Sequence, residues 1–269
     1  MMIDSVLNNK NNFRRNILFV ILIEFVFFIF SGVSFQGLHH TVYFDFGIDP
    51  VYWIFFLLQI PQFIFIHHEI GLMLDILILL LLMYSVFIKE NKIITWTLFI
   101  LLTLYYVSLT AILGHRNYQT GFFIMIIPFL FSNQINRKFA FEGIKYFYLF
   151  FYFSSGIFKL INHGMNEPML LSFTLKEQFI PYYLETNFSW RTSINSYLIQ
   201  HNYIAHFFYC VVIFIETFFI VGFFTNKLNY ILGVLLLILH FSNWIVMDIA
   251  PIGQLAVIFF FLKYKDYTF

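Results

Sequence analysis

Long apolar runs follow one another through most of this sequence, and the polar segments between them are short. A run of about twenty apolar residues is long enough to cross the hydrocarbon layer of a bilayer as an α-helix. Of the 269 residues, 61% are hydrophobic and only 11% are charged, and the mean hydropathy is +0.81. This composition excludes an ordinary soluble domain. It predicts an all-α, polytopic transmembrane helical bundle in a single membrane domain, residues 1–269.

About eight of the apolar runs are predicted to span the membrane, at residues 16–38, 70–88, 93–113, 120–134, 142–162, 203–224, 228–249 and 251–264. The run at 51–66 is interrupted by Gln59, Pro61 and Gln62, and we expect it to be re-entrant or interfacial. Residues 163–202 mix polar and apolar positions, which favours external lid-like helices on the membrane face. With this assignment most lysines and arginines lie on one side, which the positive-inside rule makes cytoplasmic together with both termini.

The charge pattern also bears on location and partners. A retained first span and helical rather than barrel character predict a multi-pass protein of the bacterial inner (cytoplasmic) membrane, with the lipid bilayer as its surroundings. A formal net charge of +1 argues against nucleic acid as a partner. Cys210 is the only cysteine, so no disulfide or thiolate metal site can form within the chain. No metal site is predicted at His67 and His68 either, because adjacent histidines do not share a helical face.

One predicted span, 142–162, carries a polar stripe. Five polar side chains line one face of a helix through this segment, at the spacing i, i+4, i+7, i+11 and i+15: Tyr148, Tyr152, Ser155, Lys159 and His163. A lysine at membrane depth costs about 2.5–3.5 kcal/mol on insertion scales, so Lys159 is a candidate functional residue that needs a partner. The alternative is that Lys159 lies near a helix end and snorkels to the interface.

Other polar residues lie inside predicted spans. Glu24, Asp75 and Glu216 are carboxylates at membrane depth, and His240 and Asn243 are one helical turn apart. Such groups must be paired, neutral or facing water. Polar side chains also hold transmembrane helices together through hydrogen bonds, and each of these carboxylates is open to that structural interpretation.

Three short motifs carry a family resemblance. Residues 152–160, YFSSGIFKL, resemble a lysine-containing segment of the vitamin K-dependent gamma-glutamyl carboxylases and of their bacterial relatives, the horizontally transferred transmembrane domain (HTTM) proteins. Glu216 and residues 239–243, LHFSN, are similar to the glutamate and the "FHxxN" segment of that family. Residues 43–50, YFDFGIDP, resemble its first external loop. Together the motifs extend over most of the chain.

The resemblance implies a site and a chemistry. Lys159 matches the family's proposed base, which deprotonates a reduced quinone, and Glu216 and His240 match further catalytic positions. The resemblance places four more residues around the bound quinone: Asn243, Tyr152, Ser155 and Tyr118. Residues 114–119, GHRNYQ, depart from the family's "NNHxY" element, and Tyr118 aligns with the family histidine. The large luminal domain of the carboxylase has no counterpart here, so carboxylation of propeptide-tagged glutamates is not expected.

Three functions remain open at this point. The first is a membrane enzyme, carboxylase- or quinol-epoxidase-like, that acts on a quinone or lipid with Lys159 as an external-face base. The second is a non-catalytic membrane subunit of a bacterial envelope complex, with an envelope protein as its partner. The third is a proton-coupled transporter with a relay through buried carboxylates and His240. Convergence of Lys159, Glu216 and His240 on a lipid-accessible cavity would favour the enzyme.

Overall fold

The computed structural model describes residues 2–30, 32, 34–37, 57, 59–88, 90–113, 121–162, 164–184, 190–247 and 255–262. Within these ranges the secondary structure is helical and contains no strand, which confirms the all-α prediction. The helices are α1 (Met2–Phe30), α2 (Ile60–Ile66), α3 (His68–Phe87), α4 (Lys92–Leu113), α5 (Gly121–Leu130), α6 (Gln134–Ile161), α7 (Leu170–Leu184), α8 (Trp190–Gln200), α9 (Asn202–Phe218), α10 (Asn229–Met247) and α11 (Leu255–Leu262). A 3-10 helix, Phe219–Phe223, continues α9.

Three of the described helices are long and apolar enough to cross a membrane. They are His68–Phe87, Asn202–Phe223 and Asn229–Val246. A helix satisfies all of its own backbone hydrogen bonds, which is what lipid requires of a spanning segment. The chain therefore has the character of a membrane protein. The prediction of about eight spans goes beyond these three helices and stays a prediction.

Two irregular segments of the prediction are partly described. Residues 163–202 contain α7 and α8, so helices do form there. In the interrupted run at 51–66, α2 begins after Gln59, whose φ of 55° lies in the left-handed region. Residues 51–56 lie outside the described residues, as does the predicted external loop at 43–50.

The chain divides into two compact units. The first comprises Met1–Glu142 and Ile252–Phe269. In its core the Tyr105 ring meets three phenylalanine rings, with ring centroids 5.6, 6.0 and 5.2 Å away: Phe25, Phe28 and Phe35. The carboxylate of Asp75, on α3, accepts hydrogen bonds from the backbone N–H groups of Phe35 at 3.1 Å and Gln36 at 2.9 Å. A buried carboxylate therefore holds the turn that follows α1.

The second unit, Gly143–Pro251, contains most of α6 together with α7 to α10. Helices α7, α8 and α9 pack around Leu175, Leu198 and Ala205. Helix α6 approaches α9 closely at Gly156, where an added Cβ would lie 2.8 Å from the backbone nitrogen of Thr217. Small residues permit this kind of backbone approach between membrane helices.

Within that unit, α6 buries two tyrosines of its polar stripe and exposes several phenylalanines. Tyr148 and Tyr152 are buried, whereas large apolar side chains on the other faces are 47–67% exposed: Phe150, Phe151 and Phe158. A soluble helix would bury its phenylalanines and expose its polar groups. A membrane helix can expose such rings to lipid, and the two buried tyrosines lie on the face that packs against the other helices of the unit.

Candidate functional site

The polar stripe of α6 supplies one side of the candidate site. Tyr148, Tyr152, Ser155 and Lys159 lie on the same face of the helix because their spacing follows its turn. Ser155 and Lys159 meet Glu216 of α9, and Tyr152 meets His240 of α10. His163, the last position of the predicted stripe, lies outside the described residues.

Lys159 and Glu216 form a two-pronged ion pair. The lysine Nζ donates to Oε1 at 2.5 Å and to Oε2 at 2.6 Å. Ser155 Oγ donates to Oε1 at 3.3 Å. The Glu216 side chain is 6% exposed and that of Lys159 is 25% exposed. The carboxylate is therefore the buried partner, and an approaching molecule would meet the amine first.

Tyr152 and His240 form the second pair. The tyrosine hydroxyl and His240 Nε2 share a buried hydrogen bond of 2.7 Å. The two rings are in edge contact, with centroids 5.8 Å apart and planes at 73°. Tyr152 also packs on Phe219, at 4.9 Å between ring centroids. Both side chains lie in the protein interior, so this pair fixes α6 against α10 rather than presenting a surface to a ligand.

Four of the predicted site residues form two separate pairs, Lys159 with Glu216 and Tyr152 with His240. The resemblance predicts a site in which Lys159, Glu216 and His240 act together. In the structure Glu216 holds Lys159 and Ser155, while His240 pairs with Tyr152. Asn243 lies one turn beyond His240 on α10 and is half-buried. Tyr118 lies outside the described residues.

Lys145 is a polar residue that the charge pattern of the sequence assigns to the cytoplasmic side rather than to a contact inside the protein. Its side chain is buried, and its Nζ donates to Asn226 Oδ1 at 2.5 Å. The positive-inside count treats such a lysine as a solvated charge. A signal was nevertheless present, because positions 145, 152 and 159 are spaced by seven residues and share a helical face. Three polar contacts therefore follow one another along α6.

The chemistry available at Lys159 follows from its partner. An ammonium and a carboxylate in contact, largely out of water, compensate each other, and the loss of either one leaves an uncompensated charge. The pair can also exchange a proton between Nζ and the carboxylate, which yields a neutral amine beside a carboxylic acid. A neutral amine that is open to a ligand is a base. Among the described residues, no group of three histidine, cysteine, aspartate or glutamate side chains is arranged to hold a metal ion.

Comparisons of the chain with protein-family models, with curated proteins and with solved structures give no match. The resemblance to the carboxylase and HTTM proteins therefore depends on the short motifs of the sequence, and it stays a prediction.

Proposed function

We propose that this chain is a multi-pass bacterial inner-membrane protein, related to the HTTM and vitamin K-dependent carboxylase proteins, that binds a quinone or similar lipid beside Lys159. In this proposal Lys159 Nζ takes a proton from a hydroxyl group of the bound molecule. The contact between Lys159 and Glu216 carries the proposal, because it places a proton acceptor and a compensating charge together at membrane depth.

The burial of the pair gives the two residues different roles. Lys159 is the more exposed partner, and so its Nζ is the atom that meets a ligand hydroxyl. Glu216 is the more buried partner and takes up the ammonium proton when the amine becomes neutral. Ser155 orients the carboxylate through Oε1. The ammonium that re-forms after proton transfer then lies beside the negative charge left on the ligand, which lowers the cost of that charge in a medium of low dielectric.

A reduced quinone fits the surroundings of Lys159 in two respects. A quinol dissolves in lipid, and the helix that carries Lys159 has the exposed rings of Phe151 and Phe158 on its surface, where lipid would contact them. Its hydroxyl proton is the proton that the amine would accept. When bound, a quinol would supply redox chemistry that no side chain provides. In this proposal Tyr152 and His240 are positioning residues that hold α6 and α10 in register.

One observation favours the second candidate, a non-catalytic subunit of an envelope complex. The three polar contacts along α6, at Lys145, Tyr152 and Lys159, join this helix to the rest of its unit. Hydrogen bonds between membrane helices serve this purpose without any ligand. The two candidates differ in whether a lipid-soluble molecule copurifies with the protein.

The test is to purify the protein in mild detergent, extract it with organic solvent and identify bound quinone or isoprenoid lipid by mass spectrometry. The double variant Lys159→Met/Glu216→Gln removes both charges and keeps the volume. Ser154→Ala serves as the control, because Ser154 Oγ donates to the Phe151 carbonyl of its own helix. We expect quinone in the wild type and the control and its loss from the double variant. Equal quinone in all three, or an empty wild type with a stoichiometric protein partner, would refute the enzyme proposal.

The proposed topology has about eight spans and both termini in the cytoplasm. Reporter fusions test it independently of the ligand. A fluorescent protein that matures only in the cytoplasm should fluoresce at either terminus, and a periplasmic phosphatase fused there should be inactive. An active phosphatase at one terminus alone would require an odd number of spans.

A further inference from the structure

Four charged side chains of the first unit form a cluster, three of them next to the beginning of a helix and the fourth within α1. The members of this basic cluster are Arg14, Glu90, Lys92 and Arg137. Glu90 Oε1 accepts from Arg137 Nη2 at 2.8 Å and lies 3.2 Å from Lys92 Nζ. Lys92 and Arg137 therefore share the Glu90 carboxylate, and Arg14 lies near enough for the charges of Glu90 and Arg137 to act on it.

The donors of two of these cations are engaged by the protein itself. Lys92 Nζ donates to the carbonyl oxygens of Phe129 at 2.8 Å and Phe131 at 2.7 Å. Arg137 donates to the Phe131 carbonyl as well, at 3.0 Å from Nη2 and 3.3 Å from Nε. Carbonyl groups at the end of a helix such as α5 have no partner within the helix, and these cations satisfy them.

Arg14 is in a different situation. Its side chain is only 7% exposed, and its Nε is buried without a hydrogen-bond partner in the part of the chain that the structure describes. Burial lowers the pKa of Arg14, Glu90 counteracts this, and Arg137 adds to it. Guanidinium nevertheless stays protonated in proteins. Among the described residues, Arg14 is thus a buried cation with an unsatisfied donor in a cluster of three cations and one carboxylate, and such a group calls for an anion.

We infer that the phosphate group of an anionic phospholipid occupies the basic cluster at Arg14. Guanidinium presents a planar fork that matches phosphate oxygens. Two residues separate Arg14 from the apolar part of α1, which starts at Ile17, and Lys92 is the first residue of α4. In the predicted topology these positions lie at the boundary between the hydrocarbon layer and the headgroups. The Lys92 and Arg137 side chains are 35% and 20% exposed, which leaves the cluster open on one side.

The experiment uses the full-length protein in a neutral detergent with three probes, namely phosphatidylglycerol, phosphatidylcholine and inorganic phosphate. Binding is measured by native mass spectrometry and by the shift of the unfolding temperature. The variants are Arg14→Gln, Arg14→Lys and, as a matched control, Arg15→Gln, because Arg15 is the exposed neighbour with the same charge. We expect wild type to prefer phosphatidylglycerol to phosphatidylcholine. Arg14→Gln should weaken that binding about tenfold, from the loss of a charge-assisted hydrogen bond, and Arg15→Gln should leave it nearly unchanged.

The unfolding temperature of the lipid-free variants distinguishes lipid binding by Arg14 from a purely structural role. Without lipid, Arg14→Gln should unfold at the wild-type temperature or above it, because the variant no longer buries a cation with an unsatisfied donor. Arg14→Lys should keep part of the affinity, since it retains the charge but loses the fork. Four results would overturn the inference: equal binding of both lipids, equal loss in Arg15→Gln, an Arg14-dependent effect of inorganic phosphate without one of phosphatidylglycerol, or a lower unfolding temperature of lipid-free Arg14→Gln.

Discussion

Lys159 and Glu216 are 57 residues apart in the sequence, yet the lysine ammonium lies 2.5 and 2.6 Å from the two carboxylate oxygens. The pair joins α6 to α9, and it places opposite charges together where water is scarce. Without Lys159, Glu216 would be a buried carboxylate with no compensating charge. The stability of the second unit should therefore depend on both partners jointly.

A double-mutant cycle should show this coupling. Lys159→Met should lower the free energy of unfolding by about 3–5 kcal/mol, because it leaves Glu216 uncompensated. Lys159→Met/Glu216→Gln should recover much of that loss, since no charge remains to be paired. Unfolding in mixed micelles with increasing denaturing detergent measures the four free energies. Additive effects of the two substitutions would show that the residues do not interact in the folded protein.

The hydrogen bond between the Tyr152 hydroxyl group and His240 can be tested in the same way. Tyr152→Phe leaves His240 Nε2 buried without its 2.7 Å partner, and it should cost about 1–3 kcal/mol of stability. Tyr146→Phe is the matched control, because Tyr146 lies on the same helix with its side chain 43% exposed. The measurement is the unfolding temperature of each variant relative to the wild type, which should fall more for Tyr152→Phe than for Tyr146→Phe. A control that loses as much as Tyr152→Phe would contradict the assigned role.

Two glycines of α6 should respond in opposite ways to alanine. Gly156→Ala places a methyl group 2.8 Å from the backbone nitrogen of Thr217, so α6 and α9 must separate and stability should fall. Gly143→Ala meets nothing within 4 Å and should stabilise the helix by about 0.5–1 kcal/mol. Thermal unfolding of the two variants in parallel provides the comparison. A stabilising Gly156→Ala would mean that the two helices are not in close contact.

Asp75 offers a test in the first unit. Asp75→Asn replaces a carboxylate that accepts two backbone N–H groups by an amide with one acceptor oxygen, and it should cost about 1–3 kcal/mol. Glu69→Gln, at an exposed position in the first turn of the same helix, is the control and should change little. Limited proteolysis should cut the Asp75→Asn variant faster at the turn formed by residues 34–37. Equal rates of cutting in both variants would show that the Asp75 carboxylate does not keep that turn ordered.

The apolar runs and the spacing of polar residues determined the helical character of this protein and the polar face of α6. Positions 152, 155 and 159 share a face because helical geometry is local, so their spacing in the sequence is enough to predict that face. The demand that Lys159 and Asp75 find partners also followed from the sequence, since the cost of a polar group in lipid does not depend on the fold.

The identity of the partners was decided only by the tertiary structure. Lys159 pairs with Glu216, and Tyr152 forms a hydrogen bond with His240. Asp75 accepts hydrogen bonds from two backbone N–H groups, and Lys145 donates to the side chain of Asn226. Periodicity reports which face a residue occupies, but it carries no information on which distant helix packs against that face. Those partners depend on how the helices pack, which is set by contacts such as the close approach at Gly156.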